Sequence, residues 1–181
     1  MKQIASKSAI HAICFLSFMI AFPVISFGEL ASWLKVKYSP VQDKIESIPI
    51  QSIDKDWSKV LVLSKENQPQ DVLKDLEDRE RHGYRFQLEG DFNKDGEKDK
   101  ALVGVYIDKA GVVGRFLLIL TNAKAGVWEK TFLYKSPGES GFSILFYEKG
   151  HLSFSACMDC DDFADLIWEK GNYRLKWNSC C

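Results

Sequence analysis

Apolar and polar residues alternate in short segments throughout the second half of the chain. From Tyr84 onward, segments rich in β-branched, aromatic and other apolar residues are separated by turn sequences such as KAG at 109–111 and KGN at 170–172. The pattern predicts eight β-strands, over residues 84–89, 100–108, 114–121, 128–135, 142–147, 151–157, 164–168 and 173–178.

Two of these strands, 100–108 and 114–121, are apolar on both faces, which is typical of central strands that are covered on both sides. The later strands alternate, as residues 151–157 do. Because the gaps are too short for crossover connections, consecutive strands should be antiparallel neighbours. The sequence therefore predicts a mainly β fold of two successive four-stranded antiparallel meanders, sandwich-like or blade-like.

Residues 29–83 have a mixed pattern. Residues 56–64 have the composition of a strand, and Pro69 suits the first position of a short helix that we expect to end near Arg81. We expect this N-terminal mixed segment to cover the remaining face of the sheet. Residues 84–181 should form the antiparallel β domain.

Residues 1–28 have the layout of a secretory signal peptide. Lys2 and Lys7 precede an uncharged apolar run over residues 10–25, and small residues follow. We predict cleavage after Gly28. An uncleaved anchor is the alternative, but the run is short for a spanning helix and contains Pro23. In both cases we expect an extracytoplasmic protein, periplasmic or secreted, with no stable membrane span after cleavage.

The charge distribution narrows the choice of partners. The leader contains two Lys and no acidic residue, so the remaining chain carries 22 basic against 25 acidic residues. The two signs are interspersed and no basic block occurs. Nucleic acid is therefore not an expected partner. An exported chain of this kind would instead meet a protein or another envelope component.

The most distinctive chemistry lies between the first two predicted strands, where residues 91–99 read DFNKDGEKD. Side-chain oxygens recur there at alternate positions and once more at the end of the loop, at Asp91, Asn93, Asp95 and Asp99. Ca2+ prefers six to eight oxygen ligands, which short acidic side chains on a tight loop supply. Gly96 suits the sharp turn. The flanking strands exclude an EF-hand, and a metal-free hairpin turn is the alternative.

Residues 90–102 resemble the calcium-binding loop of FG-GAP and VCBS-type repeats, which carry a G-D-F-N-G-D-G-x-x-D-L-A pattern in extracellular β-propeller blades. Lys94 and Lys100 replace a Gly and a Leu of that pattern. The resemblance implies a bound Ca2+ held by the backbone carbonyl of Glu97 and by side-chain oxygens of Asp91, Asn93, Asp95 and Asp99. The motif occurs once, whereas a propeller needs at least roughly four blades. We therefore expect a single hairpin whose loop is held by one metal ion, and no propeller.

Four cysteines follow the leader, at Cys157, Cys160, Cys180 and Cys181. An even number in an exported chain favours disulfides. Because a bond between Cys180 and Cys181 would be strained, we expect both to pair with Cys157 and Cys160. These disulfides would link the last strand covalently to its neighbour. A four-thiolate zinc site is the alternative. A thioredoxin-like role is disfavoured because the CxxC motif follows a strand in a meander.

Acidic residues cluster beside the cysteines, at Asp159, Asp161, Asp162 and Asp165. An exposed acidic loop held by disulfides explains them most simply, although paired carboxylates also perform acid-base chemistry. The leading hypothesis is an exported β domain in which calcium is structural rather than catalytic and which contacts a protein or envelope partner. The alternative is a metal- or carboxylate-dependent extracytoplasmic hydrolase that uses Asp161 and Asp162.

Overall fold

The computed structural model describes residues 30–123, 126–148, 150–160 and 162–178. The predicted signal peptide, Asp161, Cys180 and Cys181 lie outside the described residues. Across the ranges given above, no helix has both the length and the apolar composition needed to cross a membrane.

The described ranges are mainly β, as predicted. The helices are α1 (Ser32–Lys35), α2 (Ile50–Ile53) and α3 (Gln70–Arg81), with one 3₁₀ turn at Lys65–Asn67. The strands are β1 (Lys44–Ile45), β2 (Ile48–Pro49), β3 (Trp57–Val62), β4 (Gln87–Gly90), β5 (Asp99–Asp108), β6 (Val113–Ala123), β7 (Val127–Pro137), β8 (Ile144–Glu148), β9 (His151–Ser155), β10 (Phe163–Glu169) and β11 (Asn172–Asn178). Helix α3 is the predicted N-terminal helix.

Two antiparallel meanders form the two main sheets, which confirms the predicted fold class. Strands β4, β5, β6 and β7 pair in succession in the first sheet, and β8, β9, β10 and β11 do so in the second. One detail differs, because the start of the predicted strand 84–89 leaves the first sheet. Arg85 instead exchanges two backbone hydrogen bonds of 2.8 Å with Leu145 of β8, so this segment links the sheets.

A fifth strand, β3, joins the first sheet on the same edge of β5 as β4 does. Strand β4 pairs with residues 99–102 of β5, and β3 pairs with residues 104–108. Gly104 lies where β3 meets β5, and a Cβ atom there would lie 2.4 Å from the carbonyl oxygen of Leu61 and 2.4 Å from the Phe116 ring. Only glycine permits this close approach of the strands.

The main core lies between the two sheets. Alternate residues of β5 and β6 meet buried residues of the second sheet, and α3 adds Val72 and Leu76. The sheet residues of this core include Val103, Val105, Leu117, Ile119, Leu152, Phe154, Leu166 and Tyr173. The second meander thus covers one face of the first.

A second core lies on the opposite face of the first sheet. It contains the other alternate residues of β5 and β6, among them Leu102 and Leu118. Ile45, Ile50 and Ile53 cover them, and Trp57 and Val60 of β3 pack beside them. Because both faces of β5 and β6 are covered, these strands carry apolar residues on both sides.

Candidate metal centre

The acidic loop is the connection of the β4–β5 hairpin. Gly90 and Asp99 are the last paired residues, so residues 91–98 bridge two antiparallel strands, as the sequence predicts. Lys94 and Gly96 both have positive φ, of 63° and 89°. The FG-GAP pattern has glycine at both positions. Lys94 therefore adopts the left-handed conformation that a glycine would adopt at lower cost.

Asp99 anchors this loop to both sheets. Its side chain is fully buried and accepts three hydrogen bonds. The backbone N–H of Phe92 donates to Oδ2 at 2.9 Å, the hydroxyl of Thr121 in β6 donates to Oδ1 at 2.5 Å, and the hydroxyl of Tyr173 in β11 donates to Oδ2 at 2.8 Å. A buried carboxylate requires such donors. The hairpin end is thereby tied to the second sheet.

The loop carboxylates create a negative environment at Tyr173. Burial raises the pKa of Tyr173, and so does its hydrogen bond to Asp99. The negative charges of Asp99, Asp95 and Asp91 raise this pKa further. These three carboxylates therefore act on one phenol of the neighbouring sheet.

The other polar side chains of the loop form hydrogen bonds with its backbone and with one another. Asp91 accepts the N–H groups of Asp95 and Gly96 at 3.1 and 3.0 Å, one on each carboxylate oxygen. Asp95 accepts the N–H of Glu97 at 2.8 Å and the amide of Asn93 at 2.6 Å. Asn93 is buried, whereas Asp91, Asp95 and Glu97 are exposed. These bonds hold the loop in a tight turn.

The donor chemistry of this loop fits a hard cation. Four carboxylates and one amide oxygen lie within nine residues. The carboxylate oxygens of Asp91 and Asp95, and Oδ1 of Asp99, each keep a second lone pair beyond the one that a hydrogen bond uses. Within the ranges that the structure describes, no three His, Cys, Asp or Glu side chains converge closely enough to hold a metal. A bound cation would thus require the exposed side chains Asp91 and Asp95 to turn toward Asn93 and Asp99.

Neighbouring lysines bind acids outside the loop. Lys98 lies 3.1 Å from Glu89, and Lys100 lies 2.8 Å from Glu46 and 3.4 Å from Glu89. The hydrogen bond from Lys98 lowers the pKa of Glu89 despite partial desolvation. Because these lysines are engaged with other carboxylates, they offset the negative charge of residues 91–99 only in part.

The cysteine pairing expected from the sequence is wrong for Cys157 and Cys160. The structure joins these two residues to each other, with their Cα atoms 5.8 Å apart. The chain turns back directly after β9, so the CxxC cysteines come within bonding reach of each other. Cys180 and Cys181, their expected partners, lie outside the described residues.

The described residues of the acidic cluster, Asp159, Asp162 and Asp165, lie away from the loop at 91–98. Asp159 pairs with Arg79 of α3, and Asp165 accepts hydrogen bonds from Ser153 and Asn178 at 2.6 and 2.8 Å. Asp162 precedes β10, whereas the end of β10 pairs with the start of β11, where Tyr173 reaches Asp99. The structure thus does not bring Asp162 to the loop, and Asp161 lies outside the described residues.

Two residues of the site cannot be found from the sequence. Thr121 and Tyr173 are 22 and 74 residues from Asp99 and carry no local motif. Comparisons of the chain with protein-family models, with curated proteins and with solved structures found no match. The functional argument therefore rests on the residues of this chain.

Proposed function

We propose that the protein is an exported β domain that binds one structural Ca2+ in the loop 91–99 and serves as an interaction module for a protein or envelope partner. The observation that supports it is that Asp91, Asp95 and the buried anchor Asp99 all act on the same Tyr173 phenol, while neighbouring lysines are bound to other acids. Such like charges disfavour the empty loop, and a divalent cation relieves their repulsion.

The proposed ligands are those of a single FG-GAP-like loop. Asp91, Asn93, Asp95 and Asp99 contribute side-chain oxygens, and Glu97 contributes its backbone carbonyl. When bound, the ion supplies positive charge at the tip of the β4–β5 hairpin. Since Asp99 also holds β6 and β11, calcium binding would stabilise the junction between the two sheets.

A structural role suits this site better than a catalytic one. Both oxygens of Asp99 accept hydrogen bonds from the fold, and Asp162 and Asp165 lie toward the other end of β10. No contact within the described ranges joins Asp162 to the loop, so we do not propose the hydrolase alternative. The leader pattern and the disulfide between Cys157 and Cys160 support export, since disulfides persist in oxidising compartments.

Isothermal titration calorimetry of the mature chain with Ca2+ tests this proposal. We expect one site with a dissociation constant of about 0.1–1 mM, as in extracellular calcium modules. Asp95→Ala should remove the binding heat, because it deletes a proposed ligand. Lys94→Ala, the matched control at the adjacent exposed position, should retain it. Absence of heat with the parent chain, or unchanged binding by Asp95→Ala, would contradict the proposal.

A further inference from the structure

A small cleft opens beside the calcium loop, between that loop and the second sheet. It has a volume of about 180 Å³. Leu152 and Leu166 are its buried apolar residues, and Asp91 and Asn93 of the loop form part of its wall. The volume admits one small ring and is below the range of drug-sized ligand pockets, about 300–1,000 Å³.

Two half-exposed aromatic residues line this cleft, Tyr147 with 48% and Trp168 with 36% of its surface accessible. Each is connected to the calcium loop. The Tyr147 ring lies 6.2 Å from that of Phe92, and the Trp168 ring packs edge-on against Tyr173 at 4.7 Å. Tyr173 in turn donates to Asp99. Tyr147 thus contacts the loop through Phe92, and Trp168 is linked to it through Tyr173.

The polar residues of the cleft provide hydrogen bonds without a strong net charge. Asp91 and Lys94 bring one negative and one positive charge, and Asn93 and the exposed His151 add donors and acceptors. Such a lining favours neither an anion nor a cation. It suits a neutral ring with an apolar face, which stacks on aromatic side chains, and with a hydroxyl-bearing edge, which pairs with the polar side chains.

We infer that this cleft binds a single neutral sugar unit, either as a free monosaccharide or as the terminal unit of a glycan. Trp168 and Tyr147 contact the apolar face of the ring, and Lys94 and His151, which are not proposed calcium ligands, bind its hydroxyl groups. This inference rests on the proposed function in two respects, since it names the chemical class of the partner and makes its binding stronger in calcium. Calcium strengthens sugar binding because the loop positions both the aromatic and the polar residues.

Ligand-observed NMR on the mature chain tests this inference. The probes are glucose, galactose, mannose and N-acetylglucosamine, each at up to 20 mM, in calcium and in EDTA. An array of glycans that end in the same sugars distinguishes a terminal unit from a free monosaccharide. We expect at least one sugar to bind in calcium and to bind at least threefold more weakly in EDTA.

Variants localise the binding. Trp168→Ala should weaken sugar affinity at least tenfold. Trp177→Ala, which truncates another exposed Trp that does not line the cleft, should change it less than twofold. His151→Ala removes an exposed polar group outside the core and should weaken affinity at least threefold. Calcium titration of each variant shows that the loop is intact.

The outcomes separate this inference from the proposed function. Calcium binding without binding of any sugar, free or glycan-linked, overturns the cleft inference and leaves the proposed function standing. Sugar binding that is equally sensitive to Trp168→Ala and Trp177→Ala also overturns it. Sugar binding that requires Trp168 but occurs without calcium heat supports the cleft and contradicts the calcium proposal.

Discussion

Asp99→Ala should lower the free energy of unfolding by about 3–5 kcal/mol, because it removes the shared acceptor of three donors and leaves the buried Tyr173 hydroxyl unpaired. Those donors are the N–H of Phe92 and the hydroxyl groups of Thr121 and Tyr173, which come from the loop and from both sheets. Urea denaturation in EDTA measures the effect, since the chelator removes any contribution from calcium to the difference.

Asp95→Ala in the same buffer is the control for Asp99→Ala. Asp95 is exposed and bonds only within the loop, so its truncation in EDTA should cost about 1 kcal/mol or less. A stability of Asp99→Ala within 1 kcal/mol of the parent chain would refute the role of Asp99 as the anchor between the sheets.

Trp57→Ala should also destabilise the fold by about 3–5 kcal/mol, through the cavity that it leaves in the second core. Trp57 is fully buried on the outer face of the first sheet. Its ring stacks on Tyr106 at 5.7 Å and lies 5.0 Å from Phe116. The change therefore removes the largest side chain of the second core, and urea denaturation measures the loss.

Trp177→Ala is the matched control for Trp57→Ala. Trp177 is 51% exposed and touches Tyr134 and Phe154 only at ring edges, so its loss should cost about 1 kcal/mol. Equal costs for the two variants would contradict the role of Trp57 in the second core.

The strands could be predicted because local signals define them. All eight predicted strands are present, with ends that differ by no more than three residues. Segments that alternate, or that are apolar on both sides, show which side chains of each strand face a core. Glycines with positive φ, such as Gly111 and Gly171, lie in the hairpin turns. The position of β3 could not be predicted, because its pairing with β5 depends on β4 covering only part of that edge.

The candidate site was predictable only in its local part. The oxygen spacing and the flanking strands correctly placed residues 91–99 in a hairpin. The anchoring of Asp99 by Tyr173 was not predictable, since it depends on how the two meanders pack. The expected cysteine pairing was wrong because the local turn after β9, which joins Cys157 to Cys160, has no clear signature in the sequence.

Thermal denaturation of the mature chain in calcium and in EDTA tests the structural role of the ion most directly. At about 100 times the dissociation constant, Ca2+ should add about 2.7 kcal/mol to stability, which corresponds to a rise in melting temperature of roughly 5–10 °C. Asp95→Ala should abolish this rise and Lys94→Ala should preserve it. Equal melting temperatures of the parent chain in calcium and in EDTA would contradict a structural calcium ion in this loop.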